Sequence, residues 1–235
     1  MKNFILCLCL LAFPLISAGQ TLLGWDVNGV EQSTATLNAI TVENNISIIS
    51  PSGVLSRGNG AALPGSTGSN MFGASGFTSA SLADAITNND YFTFSITVDS
   101  GYMMSLSGIN FNMSETTSGP NNAALLSSVG GFTSRAVVST WPLPSSSNSD
   151  QSITLSALAF SNLTGTVEFR IYAWGGGAST TDKYRFRNLS GNDLVISGST
   201  SLAPIPEPST YAAILGGVAL IGVVAVRRRK RAPRI

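Results

Sequence analysis

Residues 91–99 read YFTFSITVD. Apolar and polar side chains alternate through this whole segment, with Phe92, Phe94, Ile96 and Val98 in the apolar positions. Successive side chains of a β-strand point to opposite faces, so the alternation predicts a strand with one face on a core and the other toward solvent. Half-buried strands of this kind are typical of antiparallel sheets.

The neighbouring segments continue the pattern. Residues 102–106 and 109–113 alternate in opposite phases, and a β-bulge at Gly108 would explain the change of phase. Residues 166–174 predict another strong strand, which stops at three consecutive glycines. We also expect a closing pair of strands on either side of residues 190–192, where turn-forming residues interrupt two apolar alternations.

One short helix is predicted after residue 80. Ser81 is a favourable N-cap, and Asp84 follows three residues later, as in a capping box. Leu82, Ala85 and Ile86 then lie on one face of the helix. The helix should therefore pack against the sheet through that face.

Weaker apolar patterns predict further strands, among them residues 40–49 and 153–160. Segments rich in glycine, serine, asparagine and proline separate the strands. Many short strands with turn signals between them are typical of sandwiches and barrels. We therefore expect residues 19–203 to form an all-β extracytoplasmic domain, an antiparallel, jelly-roll-like β-sandwich with one short helix.

The composition of this domain excludes several functions. The chain has no histidine, and both cysteines, Cys7 and Cys9, lie before residue 19. A Ser-His-Asp triad, a thiol nucleophile and an ordinary zinc site are therefore ruled out. From Gln20 to Ala203 the chain has eleven acidic and six basic residues. This excess of negative charge argues against nucleic acid as a partner.

The N-terminus predicts a secretory signal peptide at residues 1–18. Lys2 precedes an apolar run from Phe4 to Ile16, and the small residues Ser17 and Ala18 follow. This order of charged, apolar and small residues is that of a signal peptide, and the run is short for a membrane span. The expected partners of this segment are the secretion translocon and signal peptidase.

The C-terminus, residues 204–235, predicts a second targeting segment. A proline-rich spacer contains the motif Pro206, Glu207, Pro208, Ser209 and Thr210. Residues 211–226 are apolar, aromatic or glycine, and as a transmembrane helix they would cover roughly 24 Å of a hydrocarbon core of about 30 Å. The arginine-rich tail at 227–235 begins with five cations, Arg227, Arg228, Arg229, Lys230 and Arg231. The positive-inside rule places this tail in the cytoplasm and the domain outside.

These three parts together resemble the PEP-CTERM sorting signal of Gram-negative bacteria, which is also labelled an ice-binding protein C-terminal domain. The resemblance implies recognition by an exosortase, a multi-spanning membrane peptidase, and cutting near Pro206–Pro208. It further implies an intermediate anchored in the inner membrane, followed by release to the periplasm, the cell surface or the extracellular matrix. The resemblance says nothing about the activity of residues 19–203.

Within that domain, one strand carries the candidate sugar-binding residues. If Val167, Phe169 and Ile171 face the core, four residues share the opposite face: Glu168, Arg170, Tyr172 and Trp174. Aromatic rings beside hydrogen-bonding groups suit the apolar faces and hydroxyls of sugars. The alternative is an ordinary outer face of the sheet.

Oxygen-bearing residues near turns are candidate calcium ligands: Asp26, Asn28, Glu31 and Asp193. Turn residues of this type are also common without metal, and we expect no other cofactor. A pair of carboxylates among Asp99, Glu115, Glu168 and Asp182 would be needed for glycoside hydrolysis.

The sequence favours a non-catalytic protein of the envelope or exopolysaccharide matrix, sorted through its C-terminus. Two alternatives remain: a carbohydrate-binding module with exopolysaccharide as partner, and a secreted glycoside hydrolase.

Overall fold

A computed structural model describes residues 19–39, 49–50, 53–65, 68–204, 215–216 and 218–221. The predicted signal peptide, most of the predicted strand at 40–49, the sorting motif at 206–210 and the basic tail lie outside the described residues. Of the predicted membrane helix at 211–226, residues 215–216 and 218–221 are described and are helical. No helix among the described residues has the length and apolar character needed to cross a membrane.

The described chain is mostly β-structure. The strands in chain order are β1 Gln20–Trp25, β2 Leu37–Asn38, β3 Ile49–Ser50, β4 Val54–Arg57, β5 Met71–Ala74, β6 Tyr91–Val98, β7 Tyr102–Phe111, β8 Met113–Glu115, β9 Asn122–Ser127, β10 Val137–Pro142, β11 Gln151–Thr154, β12 Gly165–Trp174, β13 Tyr184–Arg187 and β14 Leu194–Leu202. The helices are α1 Leu82–Asn88 and α2 Ala157–Phe160, with a 3-10 turn at Ser128–Gly130.

Three sheets share these strands. The first has the order β1-β14-β7-β11, and the second has the order β10-β9-β12-β6-β4-β2, with β3 also paired to β6. The third is β5-β13-β8. The strand pairs with a described register are all antiparallel, which confirms the predicted fold class at this level.

The segment at 91–99 forms the strand its alternation predicted. In β6, Phe92, Phe94, Ile96 and Val98 are buried, whereas the residues between them are half-buried. Phe94 packs on Trp25 of β1, with ring centroids 5.7 Å apart, and so joins the second sheet to the first. Phe92 packs on Phe72 of β5 and Phe186 of β13 and so joins the second sheet to the third. The core is therefore built around the inward face of β6.

The change of phase near Gly108 is present in β7. Met104 and Leu106 are buried in one phase, and Ile109 and Phe111 are buried in the other. The strand thus keeps its apolar residues on the core despite the phase change.

The predicted strand at 153–160 is wrong beyond Thr154. The backbone N–H groups of Ala159 and Phe160 donate to the carbonyl oxygen of Ser156, which begins α2. The helix turns Phe160 inward, where it stacks on Phe169 with ring centroids 5.9 Å apart. Phe160 therefore reaches the core from a helix and not from a continued strand.

The predicted closing pair around residues 190–192 is also wrong. β13 pairs with β5 and β8, whereas β14 pairs with β1 and lies beside β7. The physical cause is Asp193, whose side chain accepts hydrogen bonds from the N–H groups of Val27 (3.0 Å) and Leu189 (2.7 Å). The bond to Val27 ties the start of β14 to the segment after β1, and the bond to Leu189 holds the intervening loop, so residues 188–193 link two sheets.

Candidate functional site

The four candidate sugar-binding residues do share one face of β12. Val167, Phe169 and Ile171 are buried on the core side, and Glu168, Arg170, Tyr172 and Trp174 lie on the other. We call this other side of the second sheet its outer face. The predicted alternation is therefore correct, but the four side chains are not equally exposed: Tyr172 is buried and the other three are half-buried.

Tyr172 is buried by α1. Its relative exposure is 1%, and it clusters with Ala85 of α1 and with Leu126 of β9. Its ring also meets Tyr91 edge-on, with centroids 5.1 Å apart. Burial is the main cause that raises the pKa of Tyr172. The ring therefore stabilises the packing of α1 and is not accessible to a ligand.

Glu168 and Arg170 bond to each other and to their neighbours. Arg170 Nε donates to Glu168 Oε1 at 2.7 Å, and Thr93 Oγ1 donates to the same oxygen at 2.8 Å. The guanidinium lies between two rings, 4.5 Å from the centroid of Tyr91 and 4.0 Å from that of Phe132. Such cation–π contacts are attractive, and Arg170 thus helps to hold the 128–132 turn on the outer face.

Trp174 lies at the end of β12 and is half-buried. It lines a cavity of about 320 Å³, here called the Trp174 cavity, together with five other residues: Asn122, Ala123, Thr140, Trp141 and Pro142. Strand pairing brings them together, since Asn122 is opposite both Trp174 and Pro142. Thr140, opposite Ala124, lies on the same face. Of the sequence-predicted set, this cavity contains only Trp174.

The walls of the Trp174 cavity are fixed by backbone hydrogen bonds. The N–H of Asn121 donates to the carbonyl oxygen of Trp174 at 3.1 Å, and the N–H of Leu143 donates to that of Asn121 at 2.8 Å. Asn122 Nδ2 donates to Asn121 Oδ1, which orients the Asn122 amide. Gly175 has φ +79°, and a Cβ there would clash with Asn121 Oδ1. A side chain at residue 175 would therefore strain the backbone beside the cavity.

Asn122, Thr140 and Pro142 were missed by the sequence interpretation. Their placement depends on the register of β10, β9 and β12, and 31 residues or more separate β10 from Trp174 along the chain. The available signal was the aromatic residue Trp141 followed by Pro142, which the structure places at the end of β10. That signal does not identify the partner strand.

The four candidate calcium ligands are held by the backbone to different extents. Asp193 is buried, and both of its carboxylate oxygens accept backbone N–H groups. Burial raises its pKa, while those hydrogen bonds lower it. Asp26 Oδ1 accepts from the N–H of Asn28 at 2.7 Å, and Glu31 is exposed. Among the described residues, no group of three or more His, Cys, Asp or Glu side chains could hold a metal ion.

The four candidate glycosidase carboxylates lie on different elements. Asp99 is in the turn after β6 and Asp182 is in the loop before β13. Glu115 of β8 is buried, and its Oε1 accepts from Ser147 Oγ at 3.0 Å. Glycoside hydrolysis stays a prediction.

Comparison with protein-family models identifies the C-terminal segment. No curated protein matches the chain. The model of the PEP-CTERM protein-sorting motif matches residues 204–230, directly after β14. This motif implies processing by an exosortase, and hence export with membrane-associated processing. The chain therefore carries a PEP-CTERM protein-sorting motif at its C-terminus.

Proposed function

We propose that this chain is an exported, non-catalytic protein of the cell envelope or exopolysaccharide matrix. The observation that carries the proposal is the PEP-CTERM motif at residues 204–230. An exosortase system would deliver the β-rich domain outside the inner membrane and release or attach it there.

The position of the motif fits export of the whole domain followed by a cut on its C-terminal side. One compact unit of the chain ends at Ser201, and β14 ends at Leu202, which is 71% exposed. Pro206 follows four residues later. A cut near Pro206–Pro208 would therefore leave all of the described strands, β1 to β14, intact.

The proposal includes the finer assignments made from sequence. These are the signal peptide at 1–18, the membrane helix at 211–226 and the cytoplasmic tail at 227–235. It also includes the jelly-roll-like sandwich, which is supported by the ring contact between Trp25 of the first sheet and Phe94 of the second. In this topology, the cations at 227–231 keep the C-terminal tail of the uncut chain on the cytoplasmic side of the membrane.

The proposal is tested by changing Pro206, Glu207 and Pro208 together to alanine in the producing bacterium. We expect the variant to accumulate in the membrane fraction at the size of the uncut chain. The parent chain should instead appear as a shorter product outside the inner membrane. Immunoblots of fractionated cells measure both.

Pro144→Ala is the matched control, because Pro144 is an exposed proline of the β domain. It should be processed like the parent chain. Normal processing of the triple-alanine variant, or an uncut parent chain in the cytosol, would contradict the proposal.

A further inference from the structure

We propose that the Trp174 cavity binds a neutral sugar residue of a polysaccharide. This inference goes beyond the proposed function, since an exported matrix protein needs no ligand of its own. It rests on the cavity and not on the sorting motif.

The lining residues have the chemistry that a pyranose ring requires. The indole of Trp174 and the ring of Pro142 offer apolar surface for C–H groups. The amide of Asn122 and the hydroxyl of Thr140 can donate to and accept from sugar hydroxyls. None of the six lining residues is charged, so the site favours a neutral sugar over an anionic one.

The size of the cavity limits what it can bind. Its volume of about 320 Å³ is at the lower end of the range of about 300–1,000 Å³ that is typical of ligand pockets. Thr140 and Pro142 are exposed, so the cavity opens to solvent along β10. One sugar ring can therefore enter while the rest of a polysaccharide remains outside.

Backbone hydrogen bonds hold the walls of the site in place. The hydrogen bonds of Asn121 tie the end of β12 to the residue that follows Pro142. The N–H of Gly175 also donates to the carbonyl oxygen of Ser79 at 2.8 Å. Trp141, between Thr140 and Pro142 on β10, is 6% exposed, and its Nε1 donates to Tyr184 Oη at 3.3 Å. A rigid site loses little entropy on binding, which favours recognition by few contacts.

Affinity electrophoresis of the full chain in detergent tests the proposal. The gels contain hydroxyethyl cellulose, glucomannan or dextran as neutral probes, or alginate as an anionic probe. We expect at least one neutral polymer to retard the chain, and alginate to have no effect. Trp174→Ala and Thr140→Val should each raise the apparent dissociation constant, by about tenfold for the tryptophan.

Thr140→Val keeps the shape of an exposed side chain and removes only the hydroxyl, so it tests the site even if Trp174→Ala unfolds. Phe132→Ala is the matched aromatic control, because Phe132 packs on Arg170 of the same outer face, outside the cavity. Its retardation should equal that of the parent chain. The proposal is overturned if no neutral polymer retards the parent chain, if alginate alone does, or if Phe132→Ala binds as weakly as Trp174→Ala. None of these three results depends on processing at Pro206–Pro208.

Discussion

Asp90 is a buried carboxylic acid at the junction between α1 and β6. Its relative exposure is 3%, and its Oδ2 accepts a hydrogen bond from Ser79 Oγ at 2.5 Å. Asn88 Nδ2 in turn donates to that hydroxyl oxygen at 3.0 Å. Burial raises the pKa of Asp90, and the bond from Ser79 lowers it by less. The ionised carboxylate therefore costs stability in the folded chain.

We expect Asp90→Asn to be more stable than the parent chain at pH 7. The amide oxygen keeps the bond from Ser79 and carries no charge. The pKa of Asp90 is higher in the folded chain than in the unfolded chain. The cost of ionising Asp90 in the folded chain is therefore absent at pH values below the unfolded pKa and complete at pH values above the folded pKa. Each unit of difference between these two pKa values lowers the free energy of unfolding by about 1.4 kcal/mol. The advantage of Asp90→Asn should therefore shrink as pH falls from 7 to about 3, as measured by urea unfolding.

Asp99→Asn is the control, since it removes one negative charge from an exposed residue in the turn after β6. A constant difference between Asp90→Asn and the parent chain at all pH values would show that the buried charge is not the cause.

At this scale the sequence predicted which side of a strand a residue faces, but not how much of it is exposed. The alternation correctly put Glu168, Arg170, Tyr172 and Trp174 on one face. It did not predict the burial of Tyr172, because that depends on α1, more than 80 residues earlier in the chain. A local pattern does not contain the position of a distant covering element.

Among the elements, α1 has the clearest local cause. Ser81 Oγ accepts from the N–H of Asp84 at 3.2 Å and donates to its carboxylate at 2.6 Å. Asn89, at φ 62° and ψ 42°, ends the helix in the left-handed region. The predicted face with Leu82, Ala85 and Ile86 packs on the outer face of the second sheet. This helix is therefore capped by its own sequence and held by its apolar face.

Ser81→Ala should destabilise the chain by about 1 kcal/mol, because it leaves an N-terminal N–H of α1 without its side-chain acceptor. Thermal unfolding measures the change. Ser100→Ala is the matched control, since Ser100 is an exposed serine in the turn between β6 and β7, away from any helix end. Equal stability of the two variants would mean that the cap contributes nothing and that packing alone holds α1.

Strands with strong alternation were predictable, whereas their partners were not. β6 and β12 were placed within one residue at each end, and they pair along their length. In contrast, β13 and β14 were assigned to each other, although β14 pairs with β1 and Asp193 bonds to Val27, just after β1. The Trp174 cavity could not be predicted for the same reason, because its residues come together only through the pairing of β10 with β9 and of β9 with β12.

For the whole molecule, composition predicted how stability is achieved. Residues 19–203 contain no cysteine, so burial and strand pairing must hold the domain. The buried aromatic residues meet this requirement, since Phe92 alone contacts four other rings, those of Phe72, Phe77, Tyr184 and Phe186. The sequence did not predict that three sheets share this core.

Ending the chain at Ala203 should leave the stability of the domain unchanged. The compact unit ends at Ser201, and all of β14 is kept. We expect the melting temperature of the shortened chain to lie within about 2 °C of that of the full chain, because the described residues beyond Ala203, at 204, 215–216 and 218–221, are all exposed. A chain ending at Gly191 is the control: it lacks β14, where Leu194 and Ile196 are fully buried between β1 and β7, and it should not fold. If the chain ending at Ala203 also lost its cooperative transition, the fold would depend on residues 204–235, and an exosortase cut near Pro206 would destroy the domain that it is proposed to release.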